Sequence, residues 1–107
     1  MRRFLVLCVL TACAAFGIAA SAAPKGDFAV CEKEFKDTKA KIAACTRFIE
    51  SENPGLADLV NAHRFRCVAR FLKKEKPDDA LADCTRAVTL DPKSAEAFHS
   101  RAVVHSI

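Results

Sequence analysis

Tryptophan and tyrosine are missing from this chain of 107 residues, so its eight phenylalanines carry all the aromatic packing. Glycine occurs only three times, and no glycine-rich phosphate loop is present. No Cys-x-x-C pair occurs, which removes support for a dithiol redox motif. No stretch alternates apolar and polar residues for long enough to form a strand. A Ser/His/Asp set and a paired-carboxylate constellation are both lacking, so no catalytic residue and no cofactor are expected. The formal charge of +4 is mild, and it gives no reason to expect nucleic acid as a partner.

What is present, 51% hydrophobic and 28% charged residues, suits one small domain. Arg2 and Arg3 precede an apolar run from Phe4 to Ala20, followed by small residues and then Pro24 and Lys25. That is the layout of a secretory signal, with Ala20-Ser21-Ala22 as the cleavage site. Residues 1–22 are therefore expected to leave, and 23–107 to form the mature domain, with no transmembrane segment in it. An uncleaved anchor is the alternative, but the run is short for a span of about 20 residues. Another is lipidation, since Leu10-Thr11-Ala12-Cys13 resembles a bacterial lipobox; a lipid-anchored structural subunit of an envelope assembly would then result. Cleavage removes Cys8 and Cys13 and leaves Cys31, Cys45, Cys67 and Cys84. Four cysteines in a small exported chain favour disulfides and a periplasmic or secreted location.

The apolar period is helical throughout. Asp27–Lys36 reads as a short helix with Phe28, Cys31 and Phe35 on one side. Ser51–Gly55 is a loop by its Asn, Pro and Gly. Leu56–Lys74 is a long helix, and Lys74–Pro77 is a tight connection. Ser94 can cap a last helix from Ala95 to about His105. The triplet Cys-Thr-Arg occurs twice, at Cys45 and at Cys84. In the later copy Ala80, Leu81, Cys84, Ala87 and Val88 make one helical stripe. The same offsets in the earlier copy give Lys41, Ile42, Cys45, Phe48 and Ile49, of which only Lys41 is not apolar. The echo is a repeated helix face rather than a repeated active site. Five helices with short connections should pack as antiparallel neighbours.

From Asn61 onward the chain resembles a tetratricopeptide repeat, a 34-residue helix–turn–helix unit. Phe71, Ala80, Ala87 and Pro92 stand at matching positions. Phe98, Arg101 and Ala102 repeat the bulky–large–small order of a next unit. The resemblance covers one full unit, 61–94, and a partial one, 95–107. The hairpin 27–51 resembles a divergent first repeat of exported bacterial proteins of this family. The implied fold is an all-α solenoid of about two and a half hairpins. Arg64 stands where a bulky apolar residue is usual. Val68 takes a small-residue position, which is expected to set two helices further apart. Cys67 and Cys84 replace larger side chains at sites that face each other in such a hairpin.

Residues equidistant from the turn of an antiparallel hairpin are neighbours. The midpoint of Cys31 and Cys45 falls in Asp37-Thr38-Lys39, and that of Cys67 and Cys84 falls between Glu75 and Lys76. Cys31–Cys45 and Cys67–Cys84 are the expected bridges; four reduced cysteines acting as small apolar packers are the competing account.

The resemblance also implies a binding groove on the first helix of each unit. Its positions are Phe65, Ala69, Leu72 and Lys73 in the full unit, and Glu96, His99 and Val103 in the partial one. Phe65 and Ala69 occupy the places of the Lys and Asn that clamp a terminal carboxylate in some members, so that ligand is not expected. A mostly apolar groove with a basic edge suits an amphipathic helix or an extended peptide; packing between adjacent repeats accounts equally for Phe65 and Val103. Arg64, Arg66, Arg70, Lys73, Lys74 and Lys76 form either a solvated face or an attraction for an acidic partner. His63 and Cys67 are four apart, but two ligands make no metal site, and none is expected. Ala102, Val103, Val104 and Ile107 leave the last helix apolar on more than one side. A longer array, of which this chain is a truncated fragment, and self-association through this helix are both consistent with that.

Overall fold

The computed structural model describes residues 24–106; the expected signal segment with Cys8 and Cys13, and Ile107, lie outside the described residues. Among the described residues the chain is all-helical, with five α-helices and no strand. They are α1 (Pro24–Lys33), α2 (Thr38–Ile49), α3 (Leu56–Leu72), α4 (Pro77–Leu90) and α5 (Ala95–His105). None of them is long and apolar enough to cross a membrane.

Each helix end has a local cause. The first helix stops at Lys33, three residues short of the expected Lys36. The Glu34 carboxylate accepts the backbone N–H of Lys36 at 2.7 Å and of Asp37 at 3.0 Å, which turns the chain. Asp37 then caps α2, accepting the Ala40 N–H at 3.0 Å. The turn is therefore 34–37, and Thr38 and Lys39 already belong to α2 rather than to the connection. The third helix ends in a Schellman motif. The Lys74 N–H bonds the Phe71 carbonyl, the Glu75 N–H bonds that of Arg70, and Lys74 itself sits at φ 60°. A side chain in this left-handed region is strained, and glycine is not. Lys74→Gly is thus expected to raise stability by about 1 kcal/mol, read as a higher midpoint in urea. Pro77 opens α4, with Asp78 and Asp79 in its first turn, where carboxylates oppose the positive helix end. Asp91 turns extended ahead of Pro92 and ends α4, as a residue preceding proline prefers. Ser94 caps α5 by accepting the Ala97 N–H at 3.1 Å.

Every helix packs on the next one in the chain. In addition α1 touches α3 and α3 touches α5, whereas α2 and α4 do not meet. The odd-numbered helices form one continuous layer, and α2 and α4 fill the gaps behind it. The hairpin α3–α4 is antiparallel, because Cys67 near its turn packs with Ala80 and Cys84, and Val60 further away packs with Ala87 and Val88. A second cluster joins Cys31, Ala44, Cys45 and Phe48 to Ala62 of α3, and the Phe28 and Phe48 rings lie 4.9 Å apart. Alanines at 44, 62, 69, 80, 87 and 97 are all buried. Small side chains let helix backbones approach closely.

Both bridges are formed as expected: Cys31–Cys45 with Cα atoms 4.7 Å apart, and Cys67–Cys84 with 5.4 Å. The four half-cystines are the largest fully buried side chains. Val68 does not wedge α3 from α4; it is half-buried and lines a cleft facing α1. The Cys-Thr-Arg echo is a shared pattern of burial. Lys41 and Ala80, Ala44 and Asp83, Cys45 and Cys84, and Phe48 and Ala87 are buried pairwise, while Ala43 and Ala82, and Arg47 and Arg86, are exposed pairwise.

Candidate functional site

The two copies of that helix face each hold one charged side chain where the other holds alanine. In α4 it is Asp83, in the slot that Ala44 fills in α2. In α2 it is Lys41, in the slot that Ala80 fills in α4. Both are buried, at 4% and 9% of full exposure. Their surroundings differ sharply.

Asp83 is answered on every side. Arg66 donates to it twice, Nε to Oδ2 at 2.9 Å and Nη2 to Oδ1 at 2.6 Å. Arg70 donates from Nη1 to Oδ2 at 2.8 Å, and His63 Nδ1 lies 3.3 Å from Oδ1. Burial alone would push this carboxyl up. Hydrogen bonds from His63 and Arg66, with the charges of Arg66 and Arg70, outweigh burial and hold it below the ordinary aspartate value of 3.8. Arg66 Nη1 also donates to the Thr46 hydroxyl at 3.0 Å, so one guanidinium ties α2, α3 and α4 together. This arrangement is structural: the Arg66 donors go to Asp83 and Thr46, and Arg70 gives one donor to Asp83 while its Nε is buried without a hydrogen-bond partner among the described residues.

Lys41 is not answered in that way. Its Nζ donates to the Glu32 carbonyl at 3.2 Å, and no carboxylate among the described residues comes within 4.0 Å of it. The ammonium lies 5.4 Å from the centre of the Phe35 ring and 5.1 Å from that of Phe65. Burial lowers its pKa below 10.5, with Glu34 and Glu32 acting the other way and Arg64 adding to the lowering. Lys41 sits in a cleft of about 270 Å³ between the end of α1, the start of α2 and the side of α3. Phe65, Val68, Ala69 and Leu72 form its α3 wall. Phe35 and Leu72, 84% and 63% exposed, stand at its rim.

Of the groove positions expected on α3, Phe65, Ala69 and Leu72 thus meet in one cleft. Ala69 forms part of its floor, since it is fully buried. Lys73 lies past the helix end, beside Glu75 at 3.7 Å. On α5, Glu96 pairs with Arg64 at 3.1 Å, and His99 and Val103 are exposed but line no part of the cleft. Val104, by contrast, is buried against Cys67 and Ala80. A second, largely apolar cavity of about 510 Å³ lies where α3, α4 and α5 meet, lined by Phe71, Leu72, Pro77 and Val104 with Lys74 and Glu75.

The basic run of α3 is neither a plain solvated face nor a free positive field. Arg66 and Arg70 turn inward to Asp83, and Arg64 is held by Glu96 and by Asn61. His63 faces Asp83, and Cys67 is bonded to Cys84, so the two do not act together as ligands. Sequence reasoning missed Asp83 and Lys41 as interior charges. Lys41 carried a signal, because it is the one polar residue on the apolar stripe of its copy. Comparison with family models, characterised proteins and solved structures finds no match for this chain.

Proposed function

We propose that this protein is a tetratricopeptide-like α-solenoid that works as a non-enzymatic interaction module in the bacterial cell envelope, holding a peptide or protein on the layer formed by α1, α3 and α5. The observation that carries the reading is the placement of exposed apolar side chains. Val30 on α1, Leu56 and Leu72 on α3, and Phe98 and Val103 on α5 are exposed, and so is Phe35 directly after α1. Neither α2 nor α4 exposes a large apolar residue among those described; their exposed positions are Lys39, Ala43 and Arg47, and Pro77, Asp78, Asp79, Ala82, Thr85, Arg86 and Thr89. Large exposed apolar side chains confined to one layer suit a binding face, and the open layer of stacked helix pairs is where repeat proteins take their partners. The contact order, in which odd helices touch successively and even ones do not, supports the solenoid. Two buried disulfides fit an exported chain.

Affinity capture of envelope proteins tests the reading. The wild type and a Leu72→Asp, His99→Ala variant are compared; both positions are exposed, so the fold is retained. A partner held by the wild type is expected to be lost from the variant. Recovery of identical partners by both proteins would remove the groove from consideration.

A further inference from the structure

Lys41 is a buried cation with no carboxylate within 4.0 Å among the described residues, although Glu34 and Glu32 act on it from further away, and buried cations are ordinarily paired. The contrast with Asp83 is internal to this fold. Each copy of the helix face received one buried charge, at different slots, and among the described residues only Asp83 has ion-pair partners within 4.0 Å. The ammonium opens onto a cleft, and two exposed apolar side chains, Phe35 and Leu72, stand at its mouth.

We propose that the cleft takes an acidic side chain of a partner peptide, with Lys41 as its counter-ion, while an adjacent apolar side chain of the peptide covers Phe35 and Leu72. The proposal rests on the interaction-module reading and names the chemistry of its ligand. A carboxylate seated at Lys41 forms a charge-assisted hydrogen bond in a desolvated place. The Phe65 ring has Lys41 on it at 5.1 Å and the Arg64 guanidinium, paired with Glu96, at 4.5 Å. Glu32 and Glu34 also line the cleft, and Glu34 is held in place by its two backbone bonds. A small anion would meet their repulsion and leave the apolar rim bare. An internal peptide segment meets all three demands: one acid for Lys41, one apolar residue for the rim and one basic residue for the glutamates.

Nuclear magnetic resonance titration of the oxidised protein, expressed from the full sequence and labelled with nitrogen-15, provides the test. Three synthetic peptides serve as probes. One is blocked at both ends and carries glutamate between leucine and lysine. The second replaces that glutamate by glutamine. The third is the glutamine peptide with a free C-terminus. The glutamate peptide is expected to shift the amides of Lys41, Phe65 and Leu72 and to bind roughly tenfold tighter than its glutamine counterpart. Lys41→Met should abolish that preference. It should not lower the melting temperature, because an apolar side chain of similar length replaces an unpaired buried charge. Equal affinity of the two blocked peptides for the wild type overturns the proposal, and needs no variant to do so. Binding of the free-ended glutamine peptide as tightly as the glutamate peptide also overturns it, since the cleft would then read chain ends. No shifts with any peptide overturn it too, while the capture experiment separately decides whether the wider interaction reading stands.

Discussion

Reduction of both disulfides is expected to unfold the protein at physiological temperature and neutral pH. The bridges close loops with sequence separations of 14 and 17. Loop closure of that size removes about 3 kcal/mol of entropy from the unfolded chain for each bridge. A domain this small has a stability near the low end of roughly 5–15 kcal/mol, so losing about 6 kcal/mol leaves little or nothing. The rest of the core cannot make up the difference. Most of its buried apolar residues are alanines, and each withdraws far less surface from water than a leucine or phenylalanine would. The measurement is far-ultraviolet circular dichroism against a rising concentration of a phosphine reductant, with free thiols counted in parallel. Loss of ellipticity should follow the appearance of thiols. Full helical signal with four free thiols would show that packing alone suffices. Replacing one bridge at a time by alanine pairs should lower the unfolding free energy by about 3 kcal/mol in each case. The greater loss is expected for Cys67 and Cys84, because Asp83 precedes Cys84 and its ion cluster depends on the same helix pair.

The elements and the sulfur pairing were legible in the sequence because each rests on short-range rules. Pro77, Ser94 and Pro92 mark helix ends by backbone chemistry that acts within one turn. Midpoints of cysteine pairs place the hairpin turns to within a residue or two, and this tolerance absorbed the error at Thr38. That error came from Glu34, whose side chain ends α1 early by taking two backbone donors; an acid in a helical stretch gives no warning that it will fold back. The cleft was half legible. Phe65, Ala69 and Leu72 share one face of one helix, so their spacing shows them together. Lys41 and Phe35 reach the same place from another hairpin, and no local pattern reports that. Charge was the least legible property. Arg64, Arg66 and Arg70 look alike in sequence, yet their partners lie 32, 17 and 13 residues away, at Glu96 and Asp83. Long-range pairing of this kind is decided by packing, and periodicity carries no record of it.

Asp83→Ala is expected to destabilise the protein by about 3 kcal/mol, a loss typical of removing one partner from a buried ion cluster. It would make the α4 copy identical at this slot to the α2 copy, where Ala44 packs without strain. The outcome differs because Arg66 and Arg70, only 14% and 24% exposed, would then face each other with no carboxylate between them. A urea titration measures the loss. The mechanism is distinguished by a second variant that also changes Arg66 and Arg70 to leucine. If stranded charge is the cause, this triple variant should recover part of the lost stability, since apolar residues can replace a buried ion cluster at little net loss. If it is no better than the single variant, the aspartate acts by shape and not by charge. Acid provides an independent check. The carboxyl of Asp83 is held below its ordinary value in the folded state, so the folded chain binds fewer protons than the unfolded one in that window. Its contribution is complete above the ordinary value of 3.8 and is lost as the pH falls below that value through the depressed folded-state one. Wild-type stability should therefore drop steeply below pH 3.8, and the triple variant should follow a shallower curve over the same range. Parallel curves for the two proteins would place the acid sensitivity elsewhere, and would leave Asp83 without the role that its four close contacts assign to it.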